Sequence, residues 1–326
     1  MRRRPLLGLC LAGVAGSALA QASGQAGAWP QKPLRFIVPL TAGGPTDMLA
    51  RIVGTPLSDR LRQPLLVDNR PGASGNIAAE YVAHSPADGY TLFFAGNGAL
   101  AINPSIYRKP GYDLFKDFTP VAQVGSSSYL LAVNARLPVS TLAEFIAYAK
   151  AHPGKLNYGA VQGSGSHLAT ELFSTMAGVK MTLIPYKGMG PATNDLVAGQ
   201  IDLSFSSLPG AMPHVKSGKL KALAITSKAR NPQLPEVPAI GEVLQGYEAT
   251  VWYGIVAPTG TPPAVVSLLS QQVADIVRTR EVRDRMVAND FEPVPTTPAQ
   301  FGAFIKSEYD KWAKVAKDAS VIAPDE

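Results

Sequence analysis

Apolar and polar positions follow two alternating periods along most of the chain, and their order predicts the elements. Residues 34–38 are a short apolar run of strand length. Residues 47–62 place Leu49, Ile52, Val53, Leu57 and Leu61 at helical spacing, with Pro56 predicting a kink or a split. A strand over 64–67, a turn over 70–76, a helix to about residue 84, the tight turn Asp88-Gly89 and a strand over 90–95 follow. Strand, helix, strand, helix, strand is the signature of a parallel sheet with crossover helices.

Residues 120–133 are strand-like, with Gly125-Ser126-Ser127-Ser128 predicting a break. A helix over 141–150, capped near Ser140, starts a second alternating set. It continues as strand 156–160, a Gly/Ser loop, helix 168–177, strand 181–185, a Gly loop, helix 192–198, strand 202–205, another loop and strand 222–226. Residues 229–247 are Pro-rich and irregular, 251–257 are strand-like, and helical stretches from Pro263 and Pro298 finish the chain. The pattern therefore predicts an α/β protein of two similar lobes in series, with no residue-level repeat and with the last portion free to rejoin the first lobe. Two lobes with two crossings enclose a cleft, and the carboxyl ends of parallel strands would present their loops to it.

Composition changes this picture mainly at the N-terminus. The 326 residues are 46% hydrophobic and 17% charged, enough for a sizeable core, and carry a formal net charge of +6. Arg2, Arg3 and Arg4 supply three of those charges and precede an apolar, Ala/Gly-rich run over 6–19 that ends in Ala18-Leu19-Ala20. Basic start, short apolar centre and small-residue exit predict a secretory signal peptide over residues 1–20, and hence a periplasmic protein. The run is too short and too rich in glycine for a membrane span. Arg3-Arg4-Pro5-Leu6-Leu7 is a weak twin-arginine signal, so the export route stays open. Cleavage after Ala20 would remove Cys10, the single cysteine, and leave a charge near 6 − 3 = +3 without basic runs. That balance argues against a nucleic-acid partner.

The strand–helix loops carry the candidate chemistry. Thr41-Ala42-Gly43-Gly44-Pro45-Thr46-Asp47 ends a strand and enters a helix. Its glycines leave backbone N–H groups unobstructed, Pro45 sets a helix-entry φ, and Thr46 or Asp47 can cap. Free amides at a helix N-terminus favour a carboxylate or phosphate. A tight turn in which Asp47 only caps explains the same spacing, and the P-loop pattern is absent. Gly163-Ser164-Gly165-Ser166-His167 takes the equivalent place in the second lobe. Ser164 or Ser166 with His167 raises a nucleophilic reading, but Gly-x-Ser-x-Gly is missing and adjacent Ser and His on one turn seldom reach triad geometry. Neutral donors converging on an anion fit better, with no catalytic residue.

Elsewhere, Gly96-Asn97-Gly98-Ala99-Leu100-Ala101 matches a dinucleotide fingerprint formally, with Asp117 about 20 residues on. Pro104 would break the required helix, and Asp117 does not end a strand, so Asn97 reads as a cleft-lining donor and no cofactor is expected. Lys187 is a possible cation for a carboxylate, or a solvated surface lysine. Asp202 starts a strand and is a candidate ligand-binding residue, or bonds only backbone groups there, and Ser206 and Ser207 follow that strand towards the cleft as further candidates. The histidines at 84, 152, 167 and 214 lack paired metal-ligand spacing, so no metal is expected.

Several longer stretches carry a family resemblance. "WPQKPLRFIVPLTAGGPTDMLAR", "VDNRPGASGNIAAEYVAHSPADGYTL", "KLNYGAVQGSGSHLATELF", "IPYKGMGPATNDLVAGQIDLSFSSLP" and "WYGIVAPTGTP" resemble, in order, the Bug receptors. These are the extracytoplasmic solute-binding proteins of tripartite tricarboxylate transporters. The resemblance implies the type II periplasmic-binding-protein fold, with lobe 1 from residues 29–126 plus 253–326 and lobe 2 from 127–252. It implies a hinge at 125–128 and 250–253, a small carboxylate ligand and membrane permease subunits as partners, with the receptor a monomer. The ligand would be a di- or tricarboxylate, an acidic amino acid or an aromatic acid. It would be held by loops 41–47 and 163–167, partly through ordered waters. The family often has Pro-Pro-Gly-Gly where this chain has Thr41-Ala42-Gly43-Gly44, so ligand preference does not transfer from a relative. Two other readings stay open at this point: a ligand sensor signalling to a membrane histidine kinase, and an exported serine hydrolase.

Overall fold

A computed structural model describes residues 29–321. The segment read as a signal peptide, residues 1–20, lies outside the described residues. The first lobe starts with β1 (Leu34–Val38), α1 (Pro45–Leu61), β2 (Leu65–Asn69), α2 (Asn76–Ala83) and β3 (Thr91–Gly96). Here β1 pairs in parallel with β2 on one side and β3 on the other. Pro56 does not split α1. Ile52, Val53 and Leu57 are buried on both sides of it, so packing holds the helix through one missing amide. After β3 a π-type turn, Gly98–Ile102, leads into the short α3 (Asn103–Ile106), with Pro104 in its first turn instead of breaking it.

The predicted break at Gly125–Ser128 is absent. Residues Phe118–Asn134 form one 17-residue strand, β4, which serves both halves of the molecule. Up to Ser128 it pairs antiparallel with β9 (Thr250–Pro258), with register shifts at Pro120/Ala122 and Gln123/Gly125. From Tyr129 onward it pairs with β7 (Leu203–Ser207) and β8 (Leu220–Ile225). Small residues suit this stretch because their backbone meets another chain closely. A Cβ on Gly125 would lie 2.8 Å from the Glu292 carbonyl oxygen.

The second lobe contains α4 (Leu142–Ala151), β5 (Asn157–Ala160), α5 (Gly165–Ala177), β6 (Thr182–Pro185), α6 (Met189–Ala198), β7, α7 (Leu208–Lys216) and β8. Thr141, not Ser140, caps α4, accepting from the Glu144 amide. Both α5 and α6 begin three residues before their apolar patterns do, and α7 is an addition, because Pro209, Gly210 and Pro213 hide its helical period. Strands run in the order β2-β1-β3-β9-β4-β7-β5-β6. The chain returns through β9, then α8 (Pro263–Arg278), α9 (Arg280–Ala288), β10 (Glu292–Pro293) and α10 (Pro298–Asp318) close over the first half.

The core explains how the halves are held. On one face, Phe36, Val38, Leu49 and Val53 pack with Leu269, Val273 and Val277 of α8. On the other, a single apolar cluster runs from Phe93 and Ala95 through Trp252 and Phe301 to Phe173 and Phe205 of the second lobe. Glu308 of α10, nearly buried, accepts from the indole N–H of Trp252 at 2.8 Å and of Trp312 at 3.0 Å. Thus α10 fastens β9 where it enters the first half, and α10 also packs against α5.

Candidate ligand-binding cleft

Two Gly-rich loops, one per half, have the same backbone architecture. Gly43 has φ +82° and Gly163 has φ +75°, left-handed values that favour glycine at both turns. Each is followed by an extended N-cap residue, Gly44 at φ −77°, ψ 171° and Ser164 at φ −79°, ψ 168°. The amides of Gly44 and Ser164 each close a turn, onto Thr41 O at 3.4 Å and Val161 O at 3.0 Å. The glycine amide is then captured by the side chain four residues on. Gly43 N–H donates to Asp47 Oδ2 at 2.9 Å, and Gly163 N–H donates to His167 Nδ1 at 3.0 Å.

Beyond that shared frame the electrostatics reverse. Asp47 also accepts from Arg51 Nε and Nη2, at 2.9 to 3.1 Å. Burial alone would raise its pKa, but the hydrogen bonds from Arg51 and the Gly43 amide outweigh this and hold it below the ordinary 3.8. Arg51, one turn into α1, is engaged by Asp47 instead of standing free. His167 is 5% exposed, and burial draws its pKa down to about 4. Its Nδ1 accepts, so the neutral ring carries its proton on Nε2, which lies 3.9 Å from Glu171 Oε1. Glu171 in turn accepts the Tyr158 hydroxyl proton.

With Asp47 and His167 occupied by their own loops, the usable donors are backbone amides. Pro45 has no N–H, and the Thr46 and Asp47 amides make no hydrogen bond among the described residues. In the second loop, Ser164 Oγ takes the His167 amide at 3.4 Å, and the Gly165 and Ser166 amides are the unpaired ones. Each helix thus presents two adjacent free N–H groups at its positive end, an arrangement suited to a carboxylate. Thr46 and Ser166 are both buried at these N-termini, whereas Thr41 and Ala42 are exposed on the rim.

Contacts between the halves bring the loops to one cleft. A Cβ on Gly163 would lie 2.9 Å from Ile106 Cδ1 of the first half, and one on Gly165 would lie 3.1 Å from Asn97 Nδ2. Asn97, 5% exposed, donates to the Thr250 carbonyl of β9 at 3.3 Å. Pro39, at the start of the first loop, approaches Gly75, which in turn approaches Ala99 two residues after Asn97. Tyr129 completes the floor: a Cβ on Gly165 would lie 2.5 Å from its hydroxyl oxygen. Nothing in the sequence pattern around Tyr129 distinguishes it from the apolar strand residues that follow.

The remaining candidates divide. Ser207 ends β7 opposite Tyr129, and Ser206, 2% exposed, is opposite Leu130 with a hydroxyl that finds no partner among the described residues. Lys187 is exposed in the loop before α6, two residues from Met189, whose sulfur lies 3.7 Å from Ser166 Oγ. Asp202 is not part of the cleft. It stands at the other end of β7, where its carboxylate accepts the Asn157 amide at 2.7 Å and pairs the starts of two strands. The serine-nucleophile geometry is also missing. Ser164 and Ser166 hydroxyls bond each other at 2.9 Å, and the His167 nitrogen that could face them is taken by Gly163. Among the described residues there is no cluster of three His, Cys, Asp or Glu side chains able to hold a metal ion, and no helix long and apolar enough to cross a membrane.

Two α/β halves sharing β4 and β9, with helix N-termini facing a common cleft, define a solute-binding protein of the type II periplasmic-binding-protein fold. More specifically, residues 49–321 match the tripartite tricarboxylate transporter family receptor, and the chain belongs to that family. It is 37% identical to BugT of Bordetella pertussis over 295 residues, 89% of this chain and 90% of that protein. Among solved structures it is similar to Rpa4515 of R. palustris with adipate, at 40% identity and a TM-score of 0.79, covering 90% of this chain and 99% of that one. It is also similar to MatC from Rhodopseudomonas palustris with bound malate, at 32% identity and a TM-score of 0.74, covering 88% and 99%.

Proposed function

We propose that this chain is a periplasmic receptor that captures a small di- or tricarboxylate, acidic amino acid or aromatic acid between its lobes. It acts as a monomer and delivers the acid to tripartite tricarboxylate transporter permease subunits. The observation that carries this reading is the matched pair of free amides, Thr46 with Asp47 and Gly165 with Ser166, at two helix N-termini beside one cleft. Neutral backbone donors hold a carboxylate by geometry and accommodate bridging water, so one scaffold suits several acids. The solved structures of Rpa4515 with adipate and MatC with bound malate support the ligand class.

Lobe 1 then comprises residues 29–126 and 253–326 and lobe 2 residues 127–252. The hinge lies where β4 and β9 pair, Gly125 with Tyr253 through Ser128 with Thr250. Closure bends this two-stranded ribbon, with the α10–α5 contact behind it limiting the swing.

The test is a thermal-shift panel of carboxylates on the mature chain, run beside an ester-hydrolysis assay. Stabilisation by one or more acids without turnover is expected. Stabilisation by none, or hydrolysis abolished by Ser166→Ala, would sink the receptor reading. Delivery is tested by uptake of the labelled acid into vesicles carrying the permease, which should require the receptor.

A further inference from the structure

Tyr129 sits on β4 one residue beyond the part paired with β9, opposite Ser207 of β7. Its main chain is fixed there, the amide donating to Thr226 Oγ1 at 2.8 Å and the carbonyl accepting from the Thr226 amide at 3.0 Å. The ring packs against the apolar cluster that joins the two halves, and the hydroxyl reaches the first turn of α5. Two polar groups from different elements therefore converge on Gly165: the Tyr129 hydroxyl of β4 and the amide of Asn97 just after β3, 2.5 Å and 3.1 Å from where a Cβ would stand. Only glycine leaves room for both.

These groups are poorly engaged by the protein itself. The Tyr129 hydroxyl makes no hydrogen bond among the described residues, and Asn97 spends a single N–H on Thr250 at 3.3 Å. Tyr129 is half-buried and Asn97 buried, and an under-used hydroxyl and amide beside two free backbone amides mark a place for a hydrogen-bonding ligand. Burial, with a smaller contribution from Tyr253, pushes the Tyr129 phenol above its usual range, so it remains a proton donor.

We infer that Tyr129 is a ligand-binding residue of the cleft, its hydroxyl donating, together with the Asn97 amide, to the carboxylate seated on the Gly165 and Ser166 amides. This rests on the receptor reading above and adds a side-chain clamp to its backbone donors. The clamp is neutral and spans both lobes, Asn97 from the end of β3 and Tyr129 from the start of the second-lobe part of β4. The carboxylate would therefore be gripped at the hinge as well as at the loops.

The experiment is calorimetric titration of wild type, Tyr129→Phe, Gly165→Ala and the double variant with the acid that stabilises wild type most. Tyr129→Phe should bind about 10- to 100-fold more weakly, the loss of one hydrogen bond to a charged group, while the unliganded melting temperature stays put. Gly165→Ala should cost more in wild type than in the Phe background, where only the Asn97 contact at 3.1 Å remains tight. With the hydroxyl gone, the next atom of the ring is 3.6 Å from the new Cβ, an ordinary contact. Tyr129→Phe binding within twofold of wild type, or strictly additive effects in the cycle, would overturn the inference. A lowered unliganded melting temperature with unchanged affinity would overturn it too, assigning Tyr129 to packing. Failure of wild type to bind any acid would overturn the receptor reading and this inference with it. Equal binding by wild type and Tyr129→Phe would overturn the inference alone.

Discussion

The loops at Gly43 and Gly163 are copies in backbone and opposites in chemistry. Both use a left-handed glycine, an extended N-cap and capture of the glycine amide by the side chain four residues on. In the first, the captor is a carboxylate held ionised by a half-exposed arginine; in the second, it is a buried neutral imidazole. The free amides are also displaced by one residue, Thr46 and Asp47 against Gly165 and Ser166, because Pro45 removes a donor and the Ser164 hydroxyl consumes one. The backbone geometry is therefore what the two loops share, and different side chains enforce it. The surroundings differ as well. A Cβ on Gly43 meets nothing within 4 Å, while one on Gly163 runs into Ile106 at 2.9 Å. One loop is a rim and the other is wedged under the opposite half.

Acid should separate the two captors most clearly. Between His167's ordinary pKa of 6.5 and its folded value of about 4, the unfolded chain binds a proton that the folded chain excludes, so stability rises with pH there. The contribution, of order 3 kcal/mol, is full above pH 6.5 and drains as pH falls towards 4. Asp47 behaves differently: its depressed pKa keeps its contribution intact until pH falls below its ordinary 3.8. Urea unfolding at stepped pH should therefore show a loss between pH 6.5 and 4 that His167→Gln flattens and Asp47→Asn leaves in place. A slope that survives His167→Gln would assign it to other groups and overturn the role given to His167.

Next in size is the contrast between the two glycines. Gly163→Ala combines left-handed strain with the Ile106 contact and should cost about 2–3 kcal/mol, against about 1 kcal/mol for the strain alone in Gly43→Ala. Equal costs by chemical denaturation would show that the second loop yields as readily as the first. Smallest is Arg51→Gln. The arginine is 53% exposed at its side chain, so losing the pair should cost under about 1 kcal/mol. A larger loss would mean that Arg51 governs the shape of the first loop.

Much of this was legible in the sequence because the signals are local. The strand–glycine–helix order at residues 34–61, the α/β alternation and the functional promise of Gly43 and Gly163 follow from periodicity and turn chemistry. Local rules misjudged positions whose state depends on distant partners. Gly125–Ser128 looks like a loop, yet it is strand because β9 and β10 supply its hydrogen-bond partners. Pro56 looks like a breaker but sits in a helix pressed on a sheet. Asp202 looks like a cleft carboxylate but pairs the far end of β5 with β7.

By itself, then, the sequence determined the element order, the two anion-suited helix entries and the family, since each is written in short spans or in recognisable stretches. Only the tertiary structure decided which donors remain free. Asp47 and His167 are consumed by their own loops, and Tyr129 reaches Gly165 from 36 residues away. The physical reason is that a hydrogen-bonding group becomes available to a ligand only after the fold has chosen every partner it already has.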